Sequence, residues 1–253
     1  MHLRADRGGA PGSGACWMSA VTNVPIMWDN IYPMEKNTNP GSKVPLIVLV
    51  ASVALLAGIT ASWLFGIGAR QRPQLTAATV LWDHARPLPE FSLVDGQGQA
   101  FGPKQLKGRW TFLFFGYTHC PDVCPTTLAT LNQAMEAITR NGDAEHTQVV
   151  FVSVDPGRDD PQQLGQYVRF FNPDFKGVTG SGADIDTLAT PLGIVHARVA
   201  NPNDAENYLV DHTASVLLVS PEGALIALFG APQHADAMAR DFHALRAYYQ
   251  GQG

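Results

Sequence analysis

The longest uninterrupted apolar stretch of the chain runs from Val44 to Ala69, "VPLIVLVASVALLAGITASWLFGIGA", and contains no charged residue. As a helix rising 1.5 Å per residue it would extend roughly 39 Å, enough to cross a hydrocarbon core of about 30 Å with some tilt. A buried core helix seldom stays uncharged over such a length. The apolar region of a cleaved signal peptide is shorter, about 7–15 residues, and ends near a small-residue cleavage site that is not evident here. The stretch therefore predicts an uncleaved transmembrane anchor over 44–69. Lys36 and Lys43 before it are matched by Arg70 and Arg72 after it, so flanking charge alone does not set its orientation.

Residues 1–43 are rich in Gly, Pro, Asn and Ser, show no sustained periodicity and are expected to be poorly ordered. They include Cys16, which is left out of the chemistry, and Met18 and Met34 as alternative starts. "MEKNTNPGSKVPLIV" from Met34 reads as a short basic leader to the anchor. Residues 70–87, with several prolines and small residues, read as a linker that holds a soluble domain, 88–253, off the bilayer.

Within that domain "FSLVDGQGQAF" places apolar residues on either side of Asp95-Gly96 and Gly98, the chemistry of a tight hairpin turn. "WTFLFFG", Trp110–Gly116, is a continuous apolar run bounded by glycines and suits a strand buried on both faces. Leu128, Leu131, Met135 and Ile138 then recur at helical spacing, "VVFVSVDP" is a second buried strand, and Pro161–Phe171 is a second amphipathic helix. "SVLLVS" and "ALIALFG", joined by Pro221-Glu222-Gly223, read as a hairpin, and Ala235–Tyr249 as a closing helix. The order predicts an α/β domain with a mixed central sheet covered by helices on both faces.

The length, 253 residues with 45% hydrophobic content, fits one well-buried domain plus the anchor. A net charge of -5 and a pI near 5.9 leave no basic stripe to track a phosphate backbone, which excludes a nucleic-acid partner.

Candidate chemistry enters with "HCPDVCP", which puts Cys120 and Cys124 four residues apart where the first buried strand gives way to a helix. Free N–H groups and the positive end of a helix dipole lower a thiol pKa there, and residues four apart in a helical turn point the same way. Pro121 and Pro125 suit first-turn positions. A disulfide across so short a loop would stabilise the fold little, and His119, Pro121 and Asp122 are poor neighbours for inert core cysteines. A structural zinc site needs about four ligands, and the domain has no second cysteine pair. A redox couple and a low-coordinate soft-metal site remain.

A third ligand is offered by His212 in "YLVDHTASVLLVS", just ahead of an apolar strand, with Asp211 as a candidate to orient its ring. Two thiolates and an imidazole would form a roughly trigonal site suited to Cu(I). His84, His146, His196, His234 and His243 lack a comparable setting and read as surface residues. Asp155 ends its strand with Pro156-Gly157 and is a candidate for docking or for tuning the site, and Asp159 or Asp160 caps the helix that begins at Pro161.

"GYTHCPDVCPTTL", "SVDPGRDDP" and "VDHTASVLLVSPEG", in this order after a single anchor and the opening "PEFSLVDGQGQAF", resemble the Sco/SenC family over about residues 88–250. The resemblance implies a thioredoxin-like fold, tethered by one N-terminal transmembrane helix to the bacterial or mitochondrial inner membrane. The domain would then lie in the periplasm or the intermembrane space. It implies copper, as Cu(I) and also Cu(II), bound by Cys120, Cys124 and His212 and delivered to the binuclear copper centre in subunit II of cytochrome c oxidase. An upstream copper donor and a thiol reductant are the further partners it implies. The alternative it carries is a thiol–disulfide oxidoreductase, in which Cys120 and Cys124 reduce the cysteines of that centre or act in redox defence. A peroxidase working through one thiolate is disfavoured, because CxxxC at a helix start does not by itself make a peroxide pocket.

Overall fold

A computed structural model describes residues 44–64, 72–80, 85–200 and 207–251. The leader 1–43 with Cys16, Met18 and Met34, and also His84, lie outside the described residues. The chain divides into two compact units, residues 1–68 and 69–253. The first contains helix α1, Val44–Leu64, apolar on every side with its described side chains exposed through residue 60. A helix apolar all round belongs in a protein core or a bilayer. Within α1, Pro45–Ser62 is long and apolar enough to cross a membrane.

The second unit runs β1 (Ala78–Val80), β2 (Arg86–Pro87), β3 (Leu93–Asp95), β4 (Ala100–Phe101), β5 (Trp110–Gly116), α2 (Val123–Arg140) and β6 (Thr147–Ser153). It continues through α3 (Pro161–Phe171), β7 (Lys176–Thr179), α4 (Gly182–Ala189), β8 (His196–Val199), β9 (Leu209–His212), β10 (Val216–Val219), β11 (Ala224–Phe229) and α5 (Ala235–Gln250).

The main sheet has the order β1-β11-β10-β5-β6-β7-β3-β4, with β2 also on β11, while β8 and β9 form a separate ribbon. β5, β6 and β7 are parallel and the remaining pairs antiparallel. Every residue of β5 and β6 is buried, as expected for parallel strands covered on both faces. Phe112 meets Phe242 of α5 at a centroid distance of 5.2 Å, and Phe151 meets Tyr167 of α3 at 6.0 Å. The alternate residues Leu113, Phe115, Val150 and Val152 are as deeply buried, so the opposite face is covered as well. This is the mixed, thioredoxin-like α/β architecture expected from the sequence.

Local chemistry explains most boundaries. The Asp160 carboxylate accepts the N–H groups of Gln162 and Gln163, capping α3 ahead of Pro161. Gly223, at φ +85°, closes the β10–β11 turn in the left-handed region. One boundary differs. The stretch 70–87, expected as a linker, contributes β1 and β2 to the edge of the sheet. The cause is tertiary: the buried carboxylate of Asp241 on α5 accepts the N–H groups of Thr76, Ala77 and Ala78 at 2.9, 2.6 and 2.8 Å.

Candidate metal centre

Where β5 ends, the chain turns through Tyr117–Asp122 before α2 begins at Val123. A buried carboxylate fixes this turn. Asp159 accepts the Thr118 N–H at 3.0 Å, the Thr118 hydroxyl at 2.5 Å and the Ser153 hydroxyl at 2.6 Å, tying the turn to the end of β6. Asp159 therefore pins the loop, and capping of α3 falls to Asp160 alone. Cys120 lies in the turn and Cys124 in the first turn of α2, whose backbone N–H points at the Cys120 sulfur at 3.4 Å. The Cys124 sulfur rests against the backbone of β5. A Cβ placed on Gly116 would come within 2.8 Å of it, so only glycine leaves it room.

His212 arrives from the other side. The sequence placed it just ahead of an apolar strand; the structure puts it at the end of β9, in the β8–β9 ribbon. Its Nε2 stands 3.3 Å from Cys124 Sγ, and its ring meets Phe114 and Tyr117 edge-on at centroid distances of 6.2 and 6.0 Å. Its Nδ1 lies 3.3 Å from the Thr213 carbonyl oxygen. Asp211, the residue expected to orient the ring, is exposed and on the opposite face of the strand, as alternation requires. The Thr213 carbonyl takes that place.

Ligand atoms of Cys120, Cys124 and His212 all lie within 4.8 Å of one another. Both cysteines are free thiols and buried, and His212 is partly exposed. Their ionisation is divided. A hydrogen bond from the Cys124 thiol, helped by His212 and the backbone N–H groups of Cys124 and Asp122, outweighs burial and brings Cys120 down to about 4. The same hydrogen bond, reinforced by burial, pushes Cys124 far above the ordinary thiol range. Cys120 is thus the more readily ionised thiol of the pair and Cys124 the one that holds its proton. Position at the start of the helix would lower both alike; their interaction with each other and the deeper burial of Cys124 set them apart.

Among the described residues the other histidines do not join this ligand group, although His196 stands directly across the ribbon from His212. His196 pairs with Asp186 at 2.9 Å, His243 with Asp143 at 2.5 Å, and His146 with Glu145 at 3.3 Å. Exposed His119 stands 3.7 Å from Asp159 at the rim of the turn. Sequence reasoning missed Tyr117 and Phe114 as walls for the imidazole, because an aromatic beside a buried strand reads simply as core.

Two sulfurs and an imidazole nitrogen converging where a parallel strand meets a helix define a thioredoxin-like domain able to hold a soft metal ion or to cycle a dithiol. The comparisons agree with that class. Residues 83–247 match the model of the SCO1/SenC family, and the chain belongs to that family. It is similar to a putative copper-binding protein of Stutzerimonas stutzeri, 36% identical over 167 residues that cover 65% of this chain and 79% of the relative. Copper-bound ScoI of Arabidopsis thaliana is 35% identical, with a TM-score of 0.60 over 64% of this chain and 99% of its own. Copper-bound ScoI of Bradyrhizobium japonicum is also 35% identical, with a TM-score of 0.55 over 61% and 96%.

Proposed function

We propose that this protein is a membrane-anchored copper carrier that holds its cargo between Cys120, Cys124 and His212 and passes it on during cytochrome c oxidase assembly. The observation that carries this reading is the convergence of two thiols and one imidazole within 4.8 Å, brought together from separate elements. The donor set favours Cu(I), which accepts low coordination by soft ligands. Copper bound to ScoI relatives at 35% identity supports the same cargo. The acceptor that family membership suggests is the binuclear centre of subunit II, with an upstream copper donor and a thiol reductant serving the same site. We further propose the organisation 1–43 leader, 44–69 anchor and 88–253 Sco domain, with 70–87 as the connection that also lends β1 and β2 to the edge of the domain's sheet, and with the domain on the periplasmic or intermembrane-space side.

Transfer follows from the donor geometry. Cys120, the more readily ionised thiol, would capture the ion first; Cys124 would join on releasing its proton to solvent; and His212, the partly exposed ligand, is the one an incoming acceptor can replace. Oxidation of the pair removes both sulfur donors, so loading requires the dithiol.

A second reading, thiol–disulfide oxidoreductase, is favoured by the same division of ionisation, since a low-pKa sulfur beside a protonated one is the arrangement of an attacking and a resolving thiol. Anaerobic Cu(I) titration of the reduced full chain in detergent separates the two. Stoichiometric binding lost in Cys120→Ser and Cys124→Ser and weakened in His212→Ala supports the carrier. Weak binding indifferent to His212, with a readily cycled disulfide, would move the assignment to the reductase.

A further inference from the structure

The copper reading needs His212 held against the sulfurs, yet His212 belongs to a two-stranded ribbon outside the main sheet. Such a ribbon is marginal by itself. Something else must fix its register, because a slip of one residue would turn the imidazole to the opposite face.

The fixing contact lies four residues upstream. Tyr208, Val210 and His212 alternate with exposed Leu209 and Asp211, and Tyr208 and Val210 are buried. The Tyr208 hydroxyl donates to Asp155 Oδ1 at 2.6 Å, while Arg158 Nε donates to Asp155 Oδ2 at 2.5 Å. The Arg158 guanidinium carbon stands 3.6 Å from the Tyr208 ring centroid and that of Arg198 3.8 Å. Two groups that close to one centroid must occupy opposite faces of the ring. Arg198 comes from β8, opposite Val210, and also donates to the Tyr208 hydroxyl at 3.0 Å. Asp155 is buried, and its own N–H donates to the Ser153 hydroxyl at 3.1 Å. One phenol is thus gripped on both faces and at its tip by groups from the β6–α3 loop and from the neighbouring strand.

We propose that this clasp of Asp155, Arg158 and Arg198 around Tyr208 is the positioning device of the copper site. It sets the register of the β8–β9 ribbon and so presents His212 to Cys124. The inference rests on the copper-carrier reading and gives a role to the "SVDPGR" stretch, whose Asp155 and Arg158 lie outside the Cys120–Cys124–His212 ligand group. Cation–π contact with a desolvated ring and a charge-assisted hydrogen bond are directional, which suits a register lock better than apolar packing would.

The test uses the reduced full chain in detergent, as parent and as Tyr208→Leu, Tyr208→Phe, Arg198→Gln and His212→Gly. In Tyr208→Leu, amide exchange should accelerate across 207–213 and stay unchanged in β5 and β6. Cu(I) affinity should fall about 10- to 100-fold, the range for a lost outer partner of a metal ligand. Added imidazole should restore much of that affinity in Tyr208→Leu and His212→Gly alike, because both lack only a correctly placed nitrogen donor. Tyr208→Phe and Arg198→Gln, which each remove one part of the clasp, should show the same effects in smaller measure and carry the test if Tyr208→Leu does not fold. Copper affinity that responds to His212→Gly but not to the clasp variants, with ribbon exchange unchanged, would overturn the clasp alone. Indifference to His212→Gly would overturn the ligand role of His212 and this proposal with it.

Discussion

Cys124 and His212 are 88 positions apart in the chain, and their side chains meet at 3.3 Å. Everything else at the site follows from how that contact is built: a strand-to-helix turn supplies one partner and an independent ribbon the other. With the imidazole as the third donor of the proposed site, its removal in His212→Ala should weaken Cu(I) binding by about 100-fold, equivalent to roughly 3 kcal/mol. The two thiols should remain able to form a disulfide. Competition titration against a Cu(I) chelator, with thiol counting before and after oxidation, checks both parts. An unchanged affinity would remove His212 from the ligand set.

The division of ionisation gives a pH prediction of definite sign. A lowered pKa means that Cys120 ionises above about 4, whereas an ordinary thiol, at 9.0, is mostly protonated at neutral pH. Alkylation of the reduced folded protein by iodoacetamide should therefore stay nearly constant as pH falls from about 8 to 5 and decline only as it passes through the Cys120 pKa. Cys124, buried and holding its proton, should remain unmodified until the chain is unfolded. Peptide mapping distinguishes the two. A Cys120 profile with its midpoint near that of an unfolded thiol would show that Cys120 is not the readily ionised member of the pair.

Gly116 is a second constraint on Cys124. An added Cβ would lie 2.8 Å from the sulfur and equally close to the Phe151 ring, tighter than real contacts allow. Gly116→Ala should cost roughly 1–3 kcal/mol of stability, the usual range for overpacking a core. It should also lower copper affinity by displacing the sulfur. Thermal melting and Cu(I) titration together test it, and a variant matching the parent in both would show that β5 and α2 have room to separate.

The parts of the fold legible in the sequence are those set by local chemistry. β5 and α3 have the bounds expected, Trp110–Gly116 and Pro161–Phe171, because an unbroken apolar run and an Asp-Pro cap each speak for themselves. β7 and α4 passed unnoticed: "KGVT" is too short to show a period, and α4 spans only 8 residues. The β8–β9 ribbon was hidden for a different reason. Its strands are separated by residues 200–208, a connection longer than a tight hairpin turn, and Val199 and Leu209 are exposed, against the usual pattern. The three site residues were visible as residue types at suggestive positions. The groups that hold them in place, Asp159 beneath the cysteine turn and Tyr208 beside His212, become visible only once distant segments are packed together.

Asp241 holds the segment that enters the domain from the N-terminal side. Its carboxylate is buried on α5 and receives three consecutive backbone N–H groups, from Thr76 to Ala78, where β1 begins on the sheet edge. In Asp241→Ala those donors lose their acceptor at a buried site, and hydrogen bonds to a charged acceptor are worth roughly 1.5–3 kcal/mol. The variant should melt about 5–10 °C lower. The early loss should be local: amide exchange and proteolysis should rise first across residues 76–80, while β5, β6 and the turn that carries Cys120 and Cys124 stay protected. Copper affinity should therefore match the parent below the melting transition. Faster exchange spread evenly through the sheet would show instead that β1 is integral to the core, and that the carboxylate supports the whole edge of the sheet rather than the point at which the chain joins it.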